Sequence, residues 1–91
     1  MTTSTLTITN ALGMHARAAA WFVHTASAFA SRIRVACGSR EMDGKSIMGL
    51  LLLSASQGSL ITLTADGPDE EEALEALTRL VERGFDEMSC A

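Results

Sequence analysis

Hydrophobic and polar residues alternate one by one in four short stretches of the chain, a pattern typical of β-strands buried on one face. The predicted strands cover residues 5–9, 32–37, 40–42 and 60–65. In three other stretches, hydrophobic residues recur at the three- and four-residue spacing of an amphipathic α-helix. The predicted helices cover residues 16–27, 47–53 and 69 to the glycine at 84. The pattern therefore predicts the element order β-α-β-β-α-β-α.

Four strands and three helices, each apolar on one side, favour an α+β fold made of two layers. We expect a four-stranded antiparallel sheet that three helices cover on one face. The opposite face, with its threonines and with Arg32 and Arg34, would meet water. A length of 91 residues leaves room for one domain, residues 1–91, with an aliphatic core because only 4% of the residues are aromatic.

Charge and apolar content exclude some partners. The formal net charge of -4 argues against a nucleic-acid-binding protein, which would carry a basic stripe. The longest apolar run, residues 47–53, is far shorter than a membrane span and contains Gly49. No basic and apolar leader opens the chain. Cys37 and Cys90 form no closely spaced pair and are interpreted as free thiols. We therefore expect a soluble cytoplasmic protein.

The residues with candidate chemistry lie in the segment 13–17, Gly-Met-His-Ala-Arg, where the first strand gives way to the first helix. Gly13 permits a sharp turn, so His15 would stand at the first helical turn. The N–H groups of that turn, and the positive end of the helix dipole, would point toward its ring. An anion on the ring would meet these donors, and the Arg17 guanidinium could grip it. This arrangement suits a phosphoryl group on His15, without a metal or cofactor.

The same residue types allow a plainer interpretation. His15 could merely cap the helix while Arg17 stays solvated, and from the residues alone both readings remain open. His24 lies nine residues further along the same helix, and the sequence offers no ligand partner near it. It is interpreted as a surface residue, so no metal site is predicted.

Two stretches resemble a known family. Residues 13–19, GMHARAA, are similar to the active-site signature of the histidine-containing phosphocarrier proteins, the HPr family of the bacterial phosphotransferase system. Residues 44–50, GKSIMGL, resemble the second signature of that family, and residues 66–70 fit the start of its last helix. The matches lie at the family's spacing and span essentially the whole chain. The resemblance implies an open-faced β-sandwich with the element order predicted above.

The resemblance also implies a chemistry. Enzyme I, charged by phosphoenolpyruvate, would phosphorylate the Nδ1 atom of His15, and the phosphoryl group would then pass to a IIA protein or domain. Arg17 would steady the phosphate. The chain would be a carrier in a relay rather than an autonomous enzyme, and we expect a monomer because a relay carrier needs an exposed face.

One position departs from the family pattern. Most members have proline after the arginine, whereas this chain has Ala18. Alanine is an excellent helix former, so the helix should persist with a looser start. Alanine here is similar to the nitrogen-related branch of the family and to many proteobacterial members. The acceptor is therefore open among sugar-permease, nitrogen-related and mannose-type regulatory IIA proteins.

Ser46 has two possible roles. As an N-cap it would stabilise the helix of residues 47–53 by about 1 kcal/mol. The resemblance adds a regulatory role, phosphorylation by the HPr kinase/phosphorylase of some bacteria. A phosphate there would sit on the helix N-terminus and would repel acidic partners.

Part of the short helix carries more apolar surface than a core-facing side requires. We expect a docking patch around Arg17, although the alternative that these side chains all belong to the core stays open. The residues expected in this patch are Ala16, Ala20, Ile47, Met48 and Leu51.

A second possible function belongs to a different class, that of regulatory proteins. The chain could be mainly a regulatory interaction module, controlled through Ser46 and acting in nitrogen or carbon metabolism with little role in sugar transport. The presence of both His15 and Arg17 argues against regulation as the only role.

Overall fold

A computed structural model describes residues 1–85 of the chain. The elements follow one another as β1 (Thr2–Thr7), α1 (Ala16–Ser27), β2 (Arg32–Cys37), β3 (Arg40–Asp43), α2 (Ile47–Leu53), β4 (Leu60–Asp66) and α3 (Glu70–Glu82). The predicted element order is confirmed, and most boundaries agree to within a residue. Among the described residues, no helix is long and apolar enough to cross a membrane.

The four strands form one antiparallel sheet in the order β1-β4-β2-β3. Side chains alternate between its faces, so Ile33 and Val35 point into the core while Arg34 lies on the other face. On that second face, threonine hydroxyls of β1 and β4 lie 3.4 Å apart across the strands. The expected polar face is therefore present.

The first strand is the one whose boundaries differ clearly from the prediction of residues 5–9. It covers Thr2–Thr7, and the chain leaves the edge of the sheet before Ile8. The N–H of Ile8 donates to the Ser59 carbonyl at 2.9 Å, and its carbonyl accepts from Gly58 at 2.8 Å. Ile8 therefore belongs to the core but bonds to the loop before β4 rather than to the strand itself.

The helices bury their apolar stripes against the sheet. In α1, Val23 is only half-buried, whereas Ala18 is buried. In α3, Leu74 is likewise half-buried. The largest fully buried side chains, drawn from both layers, are Phe22, Ile8, Ile33, Leu50, Ile61, Leu63, Leu77, Val35 and Val81.

Asp69 stands at the N-cap position of α3, but its carboxylate does not cap that helix. Instead it crosses to the loop between α1 and β2. There it accepts from the N–H groups of Ala30 and Ser31, each at 2.9 Å, and from the Ser31 hydroxyl. The hydroxyl, followed by the Ala30 N–H, holds the pKa of Asp69 below its ordinary value of 3.8. Asp69 therefore joins two ends of the fold.

The two cysteines lie in different parts of the chain. Cys37 ends β2, is half-buried and forms no disulfide with any residue from 1 to 85. Cys90 lies outside the described residues.

Candidate functional site

A tight turn at Gly13 connects β1 to α1. Its backbone φ of +64° lies in the left-handed region that favours glycine. A Cβ atom at Gly13 would stand 2.5 Å from the Ala55 carbonyl oxygen and 2.8 Å from the Ser56 Cα. Glycine is therefore required here both for its backbone conformation and for the close approach of the loop between α2 and β4.

Hydrogen bonds fix this turn from two sides. The Met14 N–H donates to the Ala55 carbonyl at 2.8 Å, and the Met14 side chain is buried in the core. From the other side, the buried Asn10 amide nitrogen Nδ2 donates to the Gly13 carbonyl at 2.7 Å. The backbone that precedes His15 is thus held by a neighbouring loop and by a side chain.

His15 occupies the N-cap position of α1. Its backbone is extended, and its carbonyl accepts the first helical hydrogen bond, from Ala19 at 2.8 Å. The half-buried imidazole makes no capping hydrogen bond to the helix, and the first turn of α1 contains no acidic side chain. The capping interpretation of His15 therefore does not hold. An anion carried by the ring would lie at the N-terminal end of α1, where backbone N–H groups and the helix dipole favour negative charge.

Arg17 lies on the same first turn, exposed to solvent. Its side chain lines a shallow groove along α1 together with Ala20, Trp21 and His24. The Trp21 and His24 rings meet edge to face, with centroids 6.3 Å apart. The sequence places these four residues three or four positions apart, which is the spacing that gathers side chains on one helix face.

Ser46 occupies the N-cap position of α2. Its Oγ atom accepts a hydrogen bond from the Gly49 N–H at 3.0 Å, so the predicted capping role is confirmed. The side chain is half-buried, at the point where β3 has ended and α2 begins.

The residues expected in the docking patch do not share one environment. Ala16, Ala20, Ile47 and Met48 are exposed, Met48 to 70%, so they are not core residues. Leu51 is half-buried and packs against the core. Its neighbour Leu52 is 56% exposed instead.

Two further apolar side chains, one on α1 and one just before it, are exposed and were not predicted. Trp21 follows Arg17 by one helical turn, a spacing that could have revealed it. Leu12, 66% exposed, precedes the Gly13 turn, and no pattern in the sequence singles it out. The helices α1 and α2 pack against each other.

Charge is distributed unevenly around this surface. None of the 11 acidic residues precedes Glu41, and α1 and α2 contain none. The helix α3 holds three of them in its first turn. The two helices α1 and α2 thus contribute no carboxylate in a chain whose net charge is -4. Within residues 1–85, no three His, Cys, Asp or Glu side chains come together as metal ligands would.

Comparison with known proteins agrees with this geometry. A family model described as the PTS HPr component phosphorylation site matches residues 2–83. The phosphocarrier protein HPr of Xylella fastidiosa (strain Temecula1) is 50% identical over 82 residues, which cover 90% of this chain and 92% of that protein. The phosphocarrier protein NPr of Shewanella violacea is 42% identical over 84 residues and 92% of each chain.

Solved structures give the same fold. HPr-C-His from Thermoanaerobacter tengcongensis matches with a TM-score of 0.92 and 48% identity, covering 96% of this chain and 98% of that one. A structure described as an HPr dimer from the same organism matches with a TM-score of 0.75 and 48% identity, covering 93% and 98%. The chain belongs to the HPr family of phosphocarrier proteins of the phosphotransferase system.

Proposed function

We propose that this chain accepts a phosphoryl group on His15 from enzyme I charged by phosphoenolpyruvate, and transfers it to a IIA protein in the cytoplasm. The observation that carries the proposal is the position of His15 at the N-cap of α1, with Arg17 exposed on the same turn. An N–P bond forms at Nδ1 of the imidazole as the bond from phosphorus to its donor breaks. The same bond breaks again when the acceptor attacks.

The first turn of α1 supports this reaction electrostatically. Its N–H groups and the helix dipole favour a dianion on the ring, and Arg17 adds a permanent positive charge with a planar fork of donors. Since the turn at Gly13 is already fixed by hydrogen bonds, little reorganisation is needed when the phosphoryl group arrives.

The surface of α1 and α2 supports docking of the relay partners. Ile47, Met48 and Leu52 offer apolar contact area, and methionine adapts to differently shaped partners. Because α1 and α2 contain no carboxylates and Arg17 is exposed, a complementary partner would present an apolar patch with acidic groups near Arg17. Both enzyme I and the IIA protein must reach the same histidine, so they would bind this surface in turn.

The proposal is tested by incubating the full chain with enzyme I and phosphoenolpyruvate and measuring its intact mass. We expect one phosphoryl adduct that is lost in acid, and no adduct in the His15→Ala variant. The matched control is His24→Ala, which removes the second histidine of α1 and should still accept the group. An adduct that persists in His15→Ala would overturn the proposal.

Oligomeric state has its own test. We propose a monomer, because His15 and Arg17 lie on one helical turn and a single copy supplies both. Light scattering during gel filtration should give the mass of one chain at the concentrations used for transfer. The mass of a dimer, the form described for the relative from Thermoanaerobacter tengcongensis, would overturn this part.

A second candidate role is regulation through Ser46. Its capping Oγ lies directly before the exposed Ile47 and Met48, so a phosphate there would add charge to the docking surface. We expect Ser46→Asp to slow transfer from enzyme I. Ser46→Asn is the matched control, because asparagine caps a helix equally well without charge. Equal rates and equal partner binding for the two variants would exclude regulation at this residue.

The nature of the IIA acceptor is a separate question. Ala18 and the match to an NPr favour including the nitrogen-related IIA beside sugar-permease and mannose-type acceptors. Transfer from the phosphorylated chain to each purified IIA protein, measured in parallel, would identify the acceptor by its rate.

A further inference from the structure

We propose that Asn10 is a positioning residue for His15, holding the turn that presents the imidazole. This inference rests on the proposed function of His15. Asn10 lies in the connection between β1 and α1, and only 7% of it is exposed. Its side chain bonds the turn, so we expect it to act on His15 through the backbone that carries the ring.

Asn10 forms hydrogen bonds with both backbone polar groups of Gly13, its carbonyl and its N–H. The side-chain Nδ2 donates to the Gly13 carbonyl at 2.7 Å, while the Asn10 carbonyl accepts from the Gly13 N–H at 3.2 Å. The two bonds close a loop of four residues around Leu12. The left-handed conformation of Gly13 is therefore stabilised by a specific side chain as well as by the freedom of glycine.

The Gly13 carbonyl also connects the turn to His15. It accepts a second hydrogen bond, from the His15 N–H at 3.0 Å. Two donors on one oxygen hold the peptide plane between Gly13 and Met14, and one of these donors is the backbone N–H of His15 itself. Without the Asn10 donor, this plane would keep the His15 bond and the Met14 bond to Ala55, but it would lose its side-chain anchor.

The opposite side of the turn rests on the loop after α2. The Met14 N–H donates to the Ala55 carbonyl, which also blocks any side chain at Gly13. The turn is thus clamped between Asn10 and Ala55. Since Ala55 acts through its backbone, Asn10 is the part of the clamp that a substitution can remove without touching the docking patch.

Ser31 provides a matched control. Asn10 and Ser31 are the two buried polar residues within the described part of the chain, and each bonds a turn at the end of an element. Ser31 donates to Asp69 at the start of α3 and has no contact with the Gly13 turn among the hydrogen bonds above. Ser31→Ala should therefore lower the melting temperature without changing His15.

The experiment compares Asn10→Ala, Asn10→Asp and Ser31→Ala with the wild-type chain. Asn10→Asp keeps the size of the side chain but replaces the Nδ2 donor with an oxygen that repels the Gly13 carbonyl. Two readouts are taken besides melting. One is kcat and KM for phosphorylation by enzyme I, and the other is the ring-proton NMR signals of both histidines.

For both Asn10 variants we expect kcat to fall about tenfold with KM nearly unchanged, because the docking patch is intact while the nucleophile is displaced. The His15 ring signals should move, and those of His24 should stay in place. Unchanged His15 signals and kcat, with only a lower melting temperature as in Ser31→Ala, would overturn the proposal. Loss of folding in both Asn10 variants would also overturn it, since Asn10 would then determine the fold.

The NMR signals of the His15 ring distinguish failure of this proposal from failure of the proposed function. If the wild-type chain accepts no phosphoryl group, the phosphocarrier function fails. The displacement of the His15 ring in the Asn10 variants would still decide whether Asn10 positions it.

Discussion

The helices α1 and α2 lie side by side but begin in different ways. At the start of α2, Ser46 closes the helix, with its hydroxyl oxygen accepting the Gly49 N–H. At the start of α1, His15 has a similarly extended backbone, but its ring makes no capping bond to the helix. A capping oxygen uses a first-turn donor that an anion would otherwise bind. The N-terminus of α2 is closed by its own cap, whereas we propose that the N-terminus of α1 receives a charged group.

The start of α3 shows a third arrangement. Asp69 has the residue type of a good cap, yet its carboxylate leaves α3 and joins the loop at Ser31. The neighbouring Glu70 carboxylate turns back to the Gly67 N–H at 3.2 Å. The residue type at the N-cap position therefore does not show by itself whether a helix N-terminus is capped. The direction of the side chain must also be known.

The largest effect is expected when α1 receives the cap that α2 has. His15→Ser should abolish phosphoryl acceptance while raising the free energy of unfolding by about 0.5 to 1 kcal/mol. Intact mass and chemical denaturation measure the two effects. The control His24→Ser, at an exposed site within the same helix, should keep phosphoryl acceptance and gain no stability. A His15→Ser chain that still carried an acid-labile phosphoryl group would contradict the difference between the two helices.

The next effect concerns the positive charge on α1. Arg17→Ala should slow transfer from enzyme I about a hundredfold, since one donor group to the developing charge is lost. Arg17→Lys should recover part of the rate but not all, because an ammonium lacks the planar fork. Stopped-flow or quench-flow kinetics give the rates. Arg32→Ala, an exposed arginine on the sheet, is the matched control, and an equal loss there would point to a general charge effect.

At α2, removal of the cap should affect stability alone. Ser46→Ala should lower the free energy of unfolding by about 1 kcal/mol, because the Gly49 N–H loses its acceptor. Transfer to His15 should stay within about twofold of wild type, a difference worth less than 1 kcal/mol. Ser27→Ala, at the exposed end of α1, should leave stability within about 0.5 kcal/mol. A loss of transfer in Ser46→Ala beyond its loss of folded protein would show that the two helix starts are coupled.

The smallest effect is a pH dependence at α3. The pKa of Asp69 is lowered in the folded chain, chiefly by the Ser31 hydroxyl, so the ionised carboxylate stabilises the fold. That contribution is complete above the ordinary pKa of 3.8 and is lost as the pH falls through the lower folded value. Melting temperatures of wild type and Asp69→Asn should therefore converge on acidification. The melting temperature of Glu71→Gln, a residue exposed in the same turn, should follow that of wild type at every pH. If the melting temperature of Asp69→Asn also stayed parallel to that of wild type, the assignment would be refuted.

Much of the fold could be predicted, because the side of each strand or helix that is buried requires hydrophobic residues at a regular spacing in the sequence. The start of β1 could not, since its half-buried positions include Thr2 and Ser4. With polar residues on both faces, this edge strand lacks the apolar contrast that alternation requires. Ile8, the last apolar residue of the stretch, bonds instead to the backbone of the loop before β4.

The candidate site was predictable where one residue type implied the chemistry. His15, Arg17 and Ser46 stand out by type and by position at predicted helix starts. The phase of α2 was not predictable, because residues 50–53 are all leucine and one residue rotates a helix by about 100°. Leu51 rather than Leu52 was therefore assigned to the surface. The Asn10 contact was not predictable either, because it exists only once the Gly13 turn has formed.

The difference between the two helix starts is tested most directly by the backbone amide signals of the full chain, recorded by NMR before and after phosphorylation. Our interpretation predicts that the amide signals of Ala16 and Arg17 move strongly, because their N–H groups turn toward the new phosphate. The Gly49 amide, which Ser46 already holds, should stay in place, and His15→Ala should show no change. Movement of Gly49 without movement of Ala16 and Arg17 would contradict the assignment of the anion to α1.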